Sequence, residues 1–199
     1  MFASRTGEDH LCGTCMQHPF QFRRARSAGV YGGALLALIH QLKYRACFAL
    51  CQPLGALLQQ TFACHWQPQE IDLVLPVPLH RRRLRQRGFN QAQMLTRAWR
   101  HAKSAAPIGC QMVNPREVMI RARPTLPQTG LGKMARRRNM RGAFQVIDPD
   151  RVKERRILLV DDVYTTGATA DEAARTLKRH GAVSVDLITV ARTMPRSSV

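Results

Sequence analysis

An open α/β fold, its mostly parallel sheet covered by helices on both faces, is what this sequence predicts. Short apolar runs at residues 71–77, 157–160 and 183–191 are rich in branched side chains, as strands buried on both faces are. Helical patterns connect such runs, which is the alternation that builds a parallel sheet. Two adjacent carboxylates, Asp161 and Asp162, close one run at the carboxyl edge, where open α/β sheets bind ligands.

The 199 residues suffice for one domain of ordinary size with a small appendage. With 31 Lys and Arg against 13 Asp and Glu, the formal charge of +18 implies polyanionic company or a strong positive field. The opening MFASRTGEDH is too polar for a signal peptide, so a cytoplasmic protein with six reduced cysteines is expected. No membrane span is expected, because proline, glutamine and histidine break the uncharged stretch 46–69.

Cys12 and Cys15 have zinc-knuckle spacing, but a structural zinc takes four ligands and one pair is half a site. His10 and His18 flank the pair too closely for a well-formed site, so the pair is expected to hold no zinc. A symmetric homodimer giving one pair from each chain is the route to a complete set. Pro19 argues against a redox motif.

Val30 and Tyr31 suggest a short strand. After Gly32 and Gly33 a helix places Leu35, Leu38, Ile39 and Leu42 on one face, and Lys43, Tyr44 and Arg45 end it with charge suited to a helix C-terminus. A second helix over residues 53–65 repeats the pattern with Leu54, Leu57, Leu58 and Phe62, and Cys47, Cys51 and Cys64 read as small buried hydrophobes. The strand at 71–77 then leads into a basic exit loop bearing Arg81, Arg82, Arg83, Arg85 and Arg87. A helix follows from Gly88-Phe89-Asn90-Gln91 to about His101. If this strand runs parallel to 157–160, the arginines share its ligand edge. Arg82 and Arg83 fit a solvated patch, whereas Arg87 beside Gly88 and Phe89 does not. Residues 101–118 read as loop, and the stretch from 121 to 144 as polar, proline-broken and then strongly basic.

The unit at 157–181 organises the rest. Paired carboxylates are costly to bury unless a cation or hydroxyl donors await them. Thr165, Thr166, Gly167, Ala168 and Thr169 leave backbone N–H groups uncovered just before a helix over 169–180, an arrangement suited to phosphate. A phosphorylated sugar meets both demands. A P-loop ATPase would need a Gly-Lys-Ser/Thr ending, and Gly130-Leu131-Gly132-Lys133-Met134 fails at Met134. A receiver domain would carry its acids near the chain start, and an ordinary strand followed by a solvated turn is the bland alternative. The elements read in order as helix, helix, strand, helix, basic loop, strand, helix, strand.

VDDVYTTGAT resembles the signature of type I phosphoribosyltransferases, which hold 5-phosphoribosyl 1-diphosphate. PVPLHRRRLRQRGFNQAQ narrows the resemblance to the ComF/GntX family of phosphoribosyltransferase-like proteins, as does the run from Arg121 through Thr125, Gln128, Leu131, Arg136 and Asn139 to Phe144. The resemblance spans about residues 27–192. It implies a phosphoribosyltransferase-like domain over 27–199, preceded by residues 1–26 as the remnant of a four-cysteine zinc module. It further implies ribose contacts and Mg²⁺, through ribose or water, at Asp161 and Asp162, and 5-phosphate contacts at Thr165, Thr166, Gly167, Ala168 and Thr169. Diphosphate contacts fall at Arg87, and a flexible hood carries Arg123, Thr125, Gln128 and Arg136.

If the chain is an enzyme, it is a glycosyltransferase of the pentosyl class: charge builds at ribose C1 as diphosphate leaves, and the protein's work is electrostatic. The acceptor is not written in the sequence. The family's association with DNA uptake offers an alternative, an accessory protein binding single-stranded DNA non-specifically, or DNA-uptake proteins, with a regulatory or degenerate sugar-phosphate site. The charge suits it, although the sequence shows no helix-turn-helix, finger or aromatic stacking face. A docking role is the third class.

Overall fold

The computed structural model describes residues 19–101, 110–125 and 133–194; Cys12, Cys15 and Gln128 lie outside them. Its centre is a parallel sheet in the order β1-β7-β6-β2-β3. The strands are β1 (Ala25–Val30), β2 (Leu73–Pro76), β3 (Gln111–Met112), β6 (Arg156–Tyr164) and β7 (Ser184–Arg192). The register places Leu75 beside Leu159 and Leu159 beside Leu187, so the three apolar runs seen in the sequence become adjacent strands.

Strand alternation sorts β6 between two cores. Ile157 and Leu159 join Ala170, Ala173 and Leu177 of α7 (Ala168–Arg179) on one face. Leu158 and Val160 join Ile39 and Leu42 of α1 (Gly33–Arg45), Leu54 and Leu58 of α2 (Cys51–His65), and Leu95 and Trp99 of α4 (Gln91–His101) on the other. Helices therefore cover both faces, as the alternation of runs implied. A separate antiparallel pair, β4 (Met119–Arg121) with β5 (Phe144–Val146), carries α6 (Lys133–Met140) between its strands.

Four local readings change. Residues 81–87, expected as a basic loop, form helix α3 (Arg81–Arg87). Arginine is a good helix former, His80 Nδ1 accepts from the N–H of Arg82 at 3.2 Å, and Gly88 ends the helix in the left-handed conformation at φ 82°. The stretch read as loop from 101 to 118 contains β3 and the short helix α5 (Pro115–Val118), capped by the Asn114 side chain with Pro115 at its first position. The first strand is longer and earlier than Val30 and Tyr31 suggested, because it pairs with β7 from Ala25 to Val30. Among the cysteines, Cys51 is buried, but Cys64 is exposed on α2 and Cys47 is half-buried; the described cysteines are unbridged.

The chain entering β1 is locked to the far edge of β7. Asp186, fully buried, accepts two hydrogen bonds from Arg23 at 3.0 and 2.7 Å, one from Arg24 at 3.0 Å and one from Trp66 Nε1 at 2.7 Å. Burial alone would raise the Asp186 carboxyl, but the bonds from Arg23 and Trp66 and the charges of both arginines outweigh it and hold it below the usual carboxylate range. No described helix is long and apolar enough to cross a membrane.

Candidate functional site

The two acids at the end of β6 point to opposite faces of the sheet, since consecutive strand residues alternate. Asp162 continues the face of Leu158 and Val160 and meets Lys43 from α1, Nζ to Oδ2 at 2.5 Å. Burial disfavours the Lys43 ammonium, but the charge and hydrogen bond of Asp162 more than compensate and raise it. Asp161 lies on the α7 face, and its Oδ1 accepts from the N–H of Asp162 at 2.8 Å. Burial, reinforced by the neighbouring Asp162 charge, pushes the Asp161 carboxyl up to about 7. One lysine thus neutralises one acid of the pair.

The turn after β6 forms a tight cradle. Gly167 caps α7 at φ 76°, and the N–H of Asp171 donates to its carbonyl at 2.8 Å. A Cβ on Gly167 would lie 2.9 Å from both Phe20 Cε1 and the Tyr164 hydroxyl, so glycine is required by conformation and by space. The Thr166 hydroxyl is buried with no hydrogen-bond partner among the described residues, although buried hydroxyls are ordinarily satisfied. Thr165 and Thr169 are half-buried on either side, Ala168 is buried, and the Thr165 carbonyl accepts from Thr193 Oγ1 at 3.4 Å.

The end of β2 supplies the basic rim. The N–H of Val77 donates to the Val160 carbonyl at 2.9 Å, which brings α3 to the same carboxyl edge as the acids. In the RGFNQ segment, Asn90 donates to the Val77 carbonyl at 3.1 Å and caps α4 through the N–H of Ala92 at 3.0 Å. Gln91 Oε1 accepts from Arg87 Nη1 at 2.6 Å and aims it. Burial lowers the Arg87 guanidinium, with Asp162 and Asp161 near enough to oppose that loss. Arg87 is therefore beside the acids, whereas Arg81, Arg82 and Arg85 are exposed on α3.

Of the hood residues, Arg123 donates from Nη2 to the carbonyls of Asn139 and Arg141, both at 2.7 Å, tying the two arms of the β4–β5 excursion together. Arg136 is half-buried on α6. Two residues the sequence reading passed over reach the site. Lys43 was read as helix-terminal charge, yet it lies four positions after the buried Ile39 and so on the inward face, a spacing visible in the sequence. Arg121, at the end of β4, is 6% exposed and hydrogen-bonds Thr125 and, at 3.2 Å, Met140 Sδ. Burial and the repulsion of Arg83 lower it to about 10, and of the charges around it that of Asp161 works in its favour. No group of three or more His, Cys, Asp or Glu able to hold a metal occurs among the described residues.

An open parallel sheet with an acid pair at the end of β6, a small-residue cradle leading into α7 and a basic rim after β2 defines a phosphoribosyltransferase-like protein. No family model matches the chain. It is 35% identical over 192 residues to the DNA utilization protein YhgH of Escherichia coli K12, covering 93% of this chain and 79% of that one. It is also 28% identical over 188 residues to competence protein F of Haemophilus influenzae, covering 91% and 78% of the two chains. Competence protein ComFC of Bacillus subtilis is 26% identical over 171 residues, covering 85% and 65%. The chain belongs to the ComF/GntX family. Solved structures similar to it include a hypoxanthine phosphoribosyltransferase from Staphylococcus aureus, with a TM-score of 0.38, 14% identity and coverage of 75% and 73%. An allosteric regulatory enzyme of purine biosynthesis gives a TM-score of 0.40 at 19% identity, covering 70% of this chain and 25% of that one.

Proposed function

We propose that this chain is an accessory protein of DNA uptake or use. It binds single-stranded DNA through phosphates without reading sequence, and it carries a regulatory or degenerate site for 5-phosphoribosyl 1-diphosphate on the same edge. The observation that carries this reading is the adjacency of the phosphate cradle at 165–169 to the arginines of α3, brought about by the parallel pairing of β2 with β6. A ribose 5-phosphate would use the uncovered N–H groups and the unpartnered Thr166 hydroxyl, while Asp161 would face its ring hydroxyls. The relatives, a DNA utilization protein and competence proteins by name, favour the DNA-handling role.

Mg²⁺ fits this site in one way. Asp162 is engaged by Lys43, so Asp161 is the carboxylate left, and the ion's remaining ligands would be donor oxygens and water, a common arrangement for Mg²⁺ with phosphates. When bound, it would supply charge neutralisation at the diphosphate.

A second reading, a pentosyltransferase with an acceptor still to be identified, is favoured by the elevated Asp161 carboxyl beside a phosphate cradle, since perturbed acids cluster at reactive sites. The two are separated by one preparation. Single-stranded DNA binding is followed by anisotropy from about 50 to about 300 mM salt, with and without the donor and Mg²⁺, where counterion release predicts a steep loss of affinity. The same protein is screened for diphosphate release with nucleobases and amines. Acceptor-dependent release selects the enzyme; donor binding without turnover, with DNA affinity retained, selects the accessory protein; a flat salt profile removes the backbone-dominated DNA contact.

A further inference from the structure

The sequence reading found no aromatic stacking face, yet the fold assembles one from two separate segments. Tyr44, in the last turn of α1, is 69% exposed, and Phe48, in the single 3-10 turn that follows, is 47% exposed. Among the described residues these are the exposed large aromatics. Each is met by a residue from the end of α3 or from the turn that follows it. The Arg87 guanidinium lies 5.6 Å from the Tyr44 ring centroid, and the Phe89 ring meets Phe48 edge to face at 5.0 Å and 77°. His40, one turn earlier on α1, packs against Tyr44 at 5.3 Å and 75°.

We propose that Tyr44, Phe48 and Phe89, with Arg87 and Arg45, form a base-stacking platform for single-stranded DNA beside the sugar-phosphate site. The proposal rests on the DNA-binding reading above and names the surface that would carry it. Its chemistry is that of single-strand binding: rings for the π-faces of successive bases, guanidinium groups for the backbone between them. The edge-to-face pair of Phe48 and Phe89 occupies at most one face of each ring and leaves another for a third partner, and Tyr44, which meets Arg87 and His40, still has most of its surface exposed. The two segments that build it bring no acid of their own. Residues 10–69 and 73–116, from which both halves of the platform come, contain no Asp or Glu, and Arg45, Arg81, Arg82 and Arg85 are all exposed there. An acidic peptide would use the arginines but has no planar groups for the rings, and a duplex keeps its base faces stacked inside.

The platform is a preset one. Gln91 holds Arg87, and Gly88 turns the chain at φ 82° so that Phe89 follows Arg87 at the same edge. Arg87 is near enough to Asp162 and Asp161 to feel their charge, so the stacking face and the sugar site adjoin.

The test compares a fluorescent oligo(dT) with an abasic strand of equal length, which keeps the phosphates and lacks the bases. The proteins are the natural chain, the double variant Tyr44→Ala/Phe48→Ala and the double variant Tyr44→Trp/Phe48→Trp. The alanine variant should lose about tenfold or more on oligo(dT), with an unchanged salt slope because no phosphate contact is removed. It should match the natural chain on the abasic strand. The tryptophan variant should retain affinity, and its fluorescence should be quenched by oligo(dT) and not by the abasic strand. Equal affinity of the natural chain for both strands, or full binding by the alanine variant, overturns the platform while leaving a phosphate-only DNA contact intact. If the natural chain binds neither strand, the DNA reading itself falls. The strand comparison on the natural chain decides the matter even if a variant folds poorly, and polyglutamate competing as well as oligo(dT) would reassign the surface to acidic protein.

Discussion

Lys43 and Asp162 meet at 2.5 Å, one from the last turn of α1 and the other from the carboxyl end of the central strand β6, with 16% and 7% of their side chains exposed. Breaking such a pair from one side leaves a buried charge uncompensated. Lys43→Met, like Asp162→Leu, should therefore cost about 3 kcal/mol, the low end of the range for buried pairs. The double variant Lys43→Met/Asp162→Leu should recover most of that loss. Urea unfolding of the four proteins of the cycle measures it, and simple additivity would show that the pair is not coupled.

Thr166→Val keeps the shape of the side chain and removes a buried hydroxyl that has no partner among the described residues. Stability should be unchanged or slightly raised. Affinity for 5-phosphoribosyl 1-diphosphate should fall by roughly 1.5–3 kcal/mol, the range for a hydrogen bond to a charged group. Calorimetry with the natural chain alongside is the measurement; an unchanged binding heat and affinity would remove Thr166 from the phosphate cradle.

Gly167→Ala meets two penalties. A left-handed conformation at φ 76° costs an alanine about 1–2 kcal/mol, and the new methyl would press on Phe20 and Tyr164 at 2.9 Å. We expect a lowered melting temperature together with weakened donor binding, whereas Gly142→Ala, also at positive φ but in open space, should lower stability alone.

The Asp186 carboxyl is held below its ordinary range in the folded chain. A group of this kind adds stability above its unfolded pKa and loses it as pH falls through the folded value, so the loss should develop on the acid side of the usual carboxylate range. Asp186→Asn should cost roughly 1.5–3 kcal/mol at neutral pH, because it trades charged for neutral acceptors for Arg23 and Arg24. Its deficit should narrow on acidification; a constant difference from pH 7 to the acid limb would contradict the linkage.

Much of this arrangement was legible in the chain. The three central strands are short apolar runs rich in branched side chains, and the cradle is a strand, two acids and a run of small residues ahead of a helix. The basic rim was legible as an arginine run after the strand at 71–77, and the resemblance added the family, with which the relatives' sequences agree. What escaped depended on the third dimension. Residues 81–87 look like a solvated charge run, and their helix is decided by His80 and Gly88 at its two ends. Asp161 and Asp162 read as one paired site, but strand alternation sends them to different cores, and the partner of Asp162 comes from a helix far away in sequence. Arg121 and Arg123 are two apart on one polar stretch, yet one is buried toward the acids and the other fastens backbone. Tyr44 and Phe48 could not be seen as a face until the turn carrying Arg87 and Phe89 was folded against them.

The position of β1 at the edge of the sheet, hydrogen-bonded to β7, also sets a schedule for the ribosome. About 150 residues separate the two strands, so at roughly 5–20 residues per second the first strand waits about 8–30 seconds for its partner to be translated. Until then Ile39, Leu42, Leu54 and Leu58 lack Ile188 and Val190, with which they share a core. The amino-terminal helices can meet Leu95 and Trp99 of α4 early, but the part of their apolar faces that rests on β6 and β7 stays uncovered until the last strands are made. Losing β7 to a premature stop would strand them in that state, and with it would go the buried acid that anchors Arg23 and Arg24.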